Sequence, residues 1–127
     1  LPCTVSPKAY ACLRDKLKYK KIIITDDMEM QAITDNYGHG QAAVMALEAG
    51  ADILLYRSVE ACAEAFSSVK EAVRNQRLNL SDIEEKIKRV QSCKKAHFSE
   101  YKPIYIPSIS KVLNPEDQNR LLNQIKS

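Results

Sequence analysis

Asp26, Asp27 and Glu29 stand within four residues of one another, directly after the apolar run Ile22-Ile23-Ile24-Thr25. A carboxylate fixed at the end of a rigid strand can attack as a nucleophile, accept a proton as a base or hold a metal ion. The same residues also fit a structural role, because Asp26 with Glu29 three positions later satisfies the rule for a helix N-cap and its reciprocal partner. Two imidazoles are present. His39, between Gly38 and Gly40, falls where a helix is expected to begin, and His97 has no chemical neighbours in sequence, so both are expected to be structural or surface groups. Cys3, Cys12, Cys62 and Cys93 show no metal-ligand spacing and are expected to be buried, reduced thiols.

The elements that must position these groups follow from periodicity. Ser6-Pro7 is a cap followed by the residue favoured at the first helical position, and Tyr10, Leu13 and Leu17 continue at helical spacing, which predicts a helix over 7–17. Lys21 to Thr25 is a short β-branched run with the character of a buried parallel strand. Small apolar residues from Gln41 to Ala49, closed by Gly50, predict a tightly packed helix, and Ala51 to Tyr56 a second buried strand. Val59, Cys62, Ala63, Phe66, Val69 and Val73 lay an apolar stripe along the next helix. Ser81 with Glu84 reads as a capping box before another. Pro103 and Pro107 mark an extended stretch, and Asn114-Pro115 caps a last helix carrying Leu121, Leu122 and Ile125.

Strands alternating with helices argue for a parallel sheet or barrel, in which chemistry sits at the carboxyl ends of the strands. Two strands alone do not make a stable sheet core. The 127 residues are about half of the ~250 that a closed eight-fold barrel needs. The first residue is Leu1 and the first methionine is Met28, so a fragment or processed product is expected. The fold expected is α/β: the last two β/α units of an eight-fold barrel over 1–97, with an extended segment and terminal helix over 98–127. Nineteen basic against sixteen acidic residues give a net charge of +3 without a basic run, which disfavours a nucleic-acid partner. No stretch reaches the ~20 apolar residues of a membrane span. The unpaired cysteines point to a cytoplasmic location.

Leu13-Arg14-Asp15-Lys16-Leu17, a spacer, and then Lys21-Ile22-Ile23-Ile24-Thr25-Asp26-Asp27-Met28-Glu29-Met30 resembles the nucleophile signature of glycoside hydrolase family 3. Asp26 falls on the position of the family's nucleophile, with Thr25 in the Ser/Thr slot. Cys12 departs from an aliphatic position, and Lys21 replaces the glycine that usually precedes the strand. The resemblance continues through Ala46-Leu47-Glu48-Ala49-Gly50-Ala51-Asp52-Ile53-Leu54-Leu55 to the helix of Ser81 to Lys94, and so covers roughly residues 4 to 95. The Asp26-Asp27-Met28 run and the absence of Trp lean towards the β-N-acetylglucosaminidase (β-hexosaminidase) branch, which recycles bacterial cell-wall sugars.

The resemblance implies a retaining double displacement, in which Asp26 attacks the anomeric carbon of a terminal N-acetylglucosamine residue and water later releases the sugar. No metal or organic cofactor is implied. Asp27 and Glu29 are left as a cap and helix-turn charge. In this branch the acid/base is a histidine, aided by an aspartate, in a Pro-Gly-His-Gly-Asp pattern upstream of the nucleophile. Gly38-His39-Gly40 is similar only superficially: it lies downstream and runs on into Gln41-Ala42. The family's sugar-binding residues also come from earlier strands, so the isolated chain is expected to be inactive. Two alternatives stay open. One is a noncatalytic barrel-derived assembly or binding module, whose strand edges a partner must cover. The other is an aldolase or dehydratase barrel, for which Arg57 after the second strand is a thin candidate.

Overall fold

The computed structural model describes residues 1–100, 109 and 116–126, in two compact units, Leu1–Ala96 and His97–Ser127. In the first, a 3-10 turn at Cys3–Val5 leads into α1 (Pro7–Ala11), which widens into a π-helical turn at Cys12–Lys16. The helix expected over 7–17 is thus two helical forms, and it stops where Lys18 takes a positive φ of 53°. Then follow β1 (Ile24–Asp27), α2 (Gln31–Thr34), α3 (His39–Ala49), β2 (Ile53–Leu55), α4 (Val59–Arg74) and α5 (Leu80–Phe98). The second unit contributes α6 (Glu116–Lys126), with Leu121, Leu122 and Ile125 exposed. Pro103, Pro107 and the cap expected at Asn114-Pro115 lie outside the described residues.

β1 and β2 pair in parallel, as the alternation of elements requires. β1 begins later than Lys21 and runs through both aspartates. Ile24 faces Ile53 and Asp27 faces Leu55, so Thr25 and Asp26 together oppose the single residue Leu54. That two-against-one count is the count of a β-bulge, a device that re-aims a side chain. The strands are not buried on both sides: Ile24 is 57% and Leu55 50% exposed.

The core forms behind the sheet, where Met28 and Val5 are fully buried among Tyr10, Ile33, Ala42 and Ala46. Gly50 ends α3 at a φ of 128°, its N–H donating to the Ala46 and Leu47 carbonyls. A β-carbon there would lie 3.1 Å from Cβ of Tyr10, so the conformation requires glycine and a larger residue would also press on Tyr10.

α3 packs closely on α4 through small residues. A β-carbon on Gly40 would sit 2.0 Å from Oγ of Ser68, and Ala61, Ala65 and Ala72 are the buried positions of α4. The apolar stripe expected on α4 is accordingly displaced. Val69 and Val73 pack partly buried beside Val44, Ala72 and Leu78, but Val59 and Phe66 are 79% and 65% exposed. Close approach of two helix backbones selects alanine and glycine over larger side chains, and the periodicity of large residues does not report it. The cap of α5 is also two residues earlier than expected: Oδ1 of Asn79 accepts from the N–H and hydroxyl of Ser81. The cysteines are free as expected but not buried, since Cys3, Cys12 and Cys62 are exposed and Cys93 half-buried. Among the described residues no helix is long and apolar enough to cross a membrane.

Asp52, between α3 and β2, ties these layers together. Its side chain has no exposed surface; Oδ2 accepts from Nη2 of Arg14 at 2.7 Å and from the Ile23 amide at 2.9 Å, and Oδ1 lies 2.8 Å from Nη2 of Arg89. One carboxylate therefore joins the π-turn, the start of β1 and α5. Beside it, Nζ of buried Lys86 donates to the Ala51 carbonyl, and burial holds the Lys86 ammonium below its ordinary pKa. Asp52→Ala should leave two guanidiniums and an amide without their acceptor. The expected loss is about 3 kcal/mol, the low end for a broken buried pair because both guanidiniums keep solvent contact. Denaturant unfolding measures it; a loss under about 1 kcal/mol, as for an exposed pair, contradicts this role.

Candidate active site

The carboxyl end of β1 presents Asp26, Asp27 and Glu29 in three different settings. Thr25, one residue earlier, is buried, and its Oγ1 accepts the Leu55 amide at 3.1 Å, which fixes β1 on β2. Asp26 is exposed, and the bond found for its carboxylate is from the Asp27 amide to Oδ1, 2.8 Å. Met28 is fully buried and donates its amide to the Leu55 carbonyl at 2.9 Å. Asp26 therefore projects from a segment whose neighbours on both sides are pinned to β2.

Neither Asp26 nor Glu29 caps a helix. α2 starts after Met30, which offers no side-chain cap, and the reciprocal pair expected of positions 26 and 29 does not form. Asp27 instead receives the Glu29 amide on Oδ1 at 2.9 Å, closing a tight local turn, and holds Nε of Arg57 on Oδ2 at 2.6 Å. Arg57, the thin candidate for another barrel chemistry, is thus committed to Asp27.

Glu29 is not the helix-turn charge expected of it. Its Oε1 accepts from the backbone amides of Arg57 and Ser58 at 2.6 and 2.7 Å, and its Oε2 from the Ser58 hydroxyl at 2.8 Å. The Ser58 hydroxyl also caps α4, accepting from the Ala61 amide at 3.3 Å. The Ser58 amide and hydroxyl, with help from Arg57, hold the Glu29 carboxyl below its usual range. This pairing spans almost thirty positions, so no local pattern announces it. Asp52 escapes sequence reading for the same reason, as a single aspartate before a strand carries no hint of two arginine partners.

His39 is the first residue of α3, as its position suggested, and its Nδ1 is buried with no hydrogen-bond partner among the described residues. Its carbonyl accepts from the Tyr56 hydroxyl at 3.3 Å, and burial pushes the Tyr56 phenol up to about 12, with Cys62, Glu64 and Glu29 adding to the rise. His97 lies exposed on α5. Asp26 also borders a depression of about 200 Å³ walled by Tyr10, Leu13, Ile23 and Ile24. That is smaller than the ~300–1,000 Å³ of a typical small-molecule site.

Residues 1–93 match the family described as glycosyl hydrolase family 3 N terminal domain. An uncharacterized secreted glycosyl hydrolase of Arthroderma benhamiae is 35% identical over 82 residues, which are 63% of this chain and 23% of that protein. Among solved structures, a glycoside hydrolase family 3 β-N-acetylglucosaminidase of Paenibacillus sp. superposes with a TM-score of 0.76 at 32% identity, covering 82% of this chain and 20% of its own. CbsA of Thermotoga neapolitana superposes at 0.72 and 30% identity, covering 76% of this chain and 22% of its own. The chain spans between a fifth and a quarter of the length of these relatives.

Because the folded pKa of Glu29 is lowered, the clamp on Arg57 and Ser58 is at full strength above the ordinary glutamate pKa and is lost as pH falls through the lowered value. Carbon-detected NMR titration should find Glu29 titrating below ordinary glutamates, with the Arg57 and Ser58 amide resonances moving in the same step. Amides that stay still through that step contradict the clamp.

Proposed function

The chain belongs to glycosyl hydrolase family 3, and on that premise we propose that it carries the nucleophile of a retaining β-N-acetylhexosaminidase, Asp26. The observation that carries this reading is the placement of Asp26. It sits in the β-bulge at the carboxyl end of β1, exposed, while Thr25, Asp27, Met28 and Glu29 are all engaged with β2 or the turn that leaves it. A nucleophilic carboxylate needs an unencumbered oxygen on a fixed backbone, and Asp26 has one. The amide of Asp27 donates to the other oxygen at 2.8 Å and so fixes the orientation of the carboxylate.

The reaction proposed is hydrolysis of terminal β-linked N-acetylglucosamine from cell-wall-derived glycans, of the kind released in peptidoglycan recycling. Oxygen of Asp26 bonds to the anomeric carbon as the leaving-group oxygen departs with a proton from an acid. Water, deprotonated by the same group, then displaces Asp26 with overall retention. The preference for the acetamido sugar rests on the Asp26-Asp27-Met28 run and on the likeness to β-N-acetylglucosaminidases such as that of Paenibacillus.

The remaining parts of the site are proposed to come from barrel strands that precede β1, of which β1 to α5 form the last two β/α units. Asp27 and Glu29 are spent on Arg57 and Ser58, and the depression beside Asp26 is too small for a sugar ring with its aglycone. The 127 residues alone are therefore proposed to be inactive. Exposed Ile24, Leu55, Val59 and Phe66 mark the faces that the preceding strands would cover. The same exposure favours the second reading, a noncatalytic module whose faces are covered by a partner.

Release of nitrophenol from 4-nitrophenyl N-acetyl-β-glucosaminide tests the proposal. The 127-residue chain should release none. The chain extended by its preceding barrel should be active, and Asp26→Ala there should lower kcat by a factor on the order of 10⁴. Retained activity in that variant removes Asp26 from the mechanism, and an extended chain without activity favours the noncatalytic module.

A further inference from the structure

We propose that Glu29 is a positioning residue for Asp26, a brace that locks the β1 bulge to the turn between β2 and α4. The inference rests on the reading of Asp26 as nucleophile and adds to it the device that holds the nucleophile in place.

A two-against-one bulge leaves a residue out of the ladder and loosens the strand locally, yet a nucleophile must be held to within a fraction of an ångström of its attack position. Asp26 is one of the two residues at the bulge, and among the described residues its side chain makes a short-range bond to the next amide and no longer one. Its position must be set by the residues around it.

Upstream, the Thr25 hydroxyl supplies one fixed point on Leu55. Downstream, the buried Met28 donates its backbone amide to the Leu55 carbonyl at 2.9 Å, and two side-chain anchors follow. The Arg57 guanidinium bridges Oδ2 of Asp27 at 2.6 Å and the Glu29 carbonyl at 3.4 Å. The Glu29 carboxylate then takes two consecutive backbone amides and a hydroxyl from Arg57 and Ser58. Arg57 is 69% exposed at its side chain, so its ion pair with Asp27 is of the screened, weak kind. The Glu29 bonds go to backbone amides and to the hydroxyl that also caps the sixteen-residue helix α4, which cannot move without moving the helix. Of the two side-chain anchors downstream, Glu29 is therefore the rigid one.

A glutamate is also the acidic residue with the reach this span needs. Aspartate at position 29 keeps the charge and is one methylene short. Glutamine keeps one carbonyl oxygen for the two amides and exchanges the other oxygen for an NH₂ group that the Ser58 hydroxyl can accept.

The test pairs structure with kinetics. In the 127-residue chain, Glu29→Ala should speed hydrogen exchange at the Arg57 and Ser58 amides and shift the carboxyl carbon resonance of Asp26, with smaller changes in Glu29→Gln. In the chain extended by its barrel, Glu29→Ala should lower kcat about 10²-fold, the cost of a nucleophile misplaced by about 1 Å, with KM little changed, and Glu29→Gln should recover most of the loss. Should Glu29→Ala not fold, Glu29→Asp replaces it, with the same fall in kcat expected. Wild-type kcat in the Ala or Asp variant overturns the proposal, as does a loss that glutamine does not relieve or one that appears only in KM. The two readings fail separately: an active Asp26→Ala removes the nucleophile assignment, whereas an inactive Asp26→Ala beside an unaffected Glu29→Ala removes only the brace.

Discussion

A carboxylate with no exposed surface, Asp52, faces two guanidiniums and a backbone amide from three separate elements. With only two short strands among the described residues, ladder hydrogen bonds cannot by themselves hold the sheet in place. Asp52 does this instead. Arg14 reaches it from the π-turn, whose wider coil places the guanidinium where it also donates to the Tyr19 and Lys21 carbonyls on the approach to β1. Arg89 reaches it from α5. Removing water from a charge is expensive, so the site is tenable only because every partner is present at once. The same condition makes the arrangement all-or-none, and β1 inherits its position from it.

The geometry at the carboxyl end of β1 then follows in order. With Ile23 tied to Asp52 by its amide, and its carbonyl accepting the Asp52 and Ile53 amides, the start of β1 is set against β2. The bulge at Thr25 and Asp26 turns one carboxylate outward, and Asp27, Met28 and Glu29 bind the chain back to the far side of β2. Two acidic braces therefore bracket the sheet, Asp52 at its amino end and Glu29 beyond its carboxyl end. They differ in cost. Asp52 is dry and doubly paired, whereas Glu29 keeps contact with water and relies on backbone amides aligned at the start of α4. Between them one carboxylate, Asp26, has no cation paired with it among the described residues, and a carboxylate with that freedom is suited to attack.

How much of this the amino-acid sequence carries depends on the range of the interaction. Asp26 at a strand end was legible because the Ile22-Ile23-Ile24-Thr25 run is local, and α3 because alanines and Gly50 mark it within a dozen residues. The order of the elements and the parallel pairing follow from their alternation. The capping roles were misplaced by one or two residues, since Asn79 and Ser81, or Asp26 and Asp27, offer the same oxygen to the same kind of turn. The face of α4 was misread for a different reason. Helix periodicity weights Val59 and Phe66 by hydrophobicity, but the contact with α3 is decided by how near two backbones can come, and Gly40, Ala61, Ala65 and Ala72 decide it. Glu29 and Asp52 find their partners tens of residues away, and nothing in the neighbouring sequence distinguishes such a carboxylate from a solvated one.

Asp26 is proposed to form the covalent bond to the sugar, and trapping that bond identifies the nucleophile outright. The barrel-complete enzyme would be incubated with a 5-fluoro N-acetyl-β-glucosaminyl fluoride, which reacts with the nucleophile and leaves it slowly, then digested and sequenced by mass spectrometry. A single sugar adduct is expected on the peptide containing Thr25-Asp26-Asp27, with fragmentation placing it on Asp26. An adduct on Asp27, on Glu29 or on a residue outside this chain would contradict it.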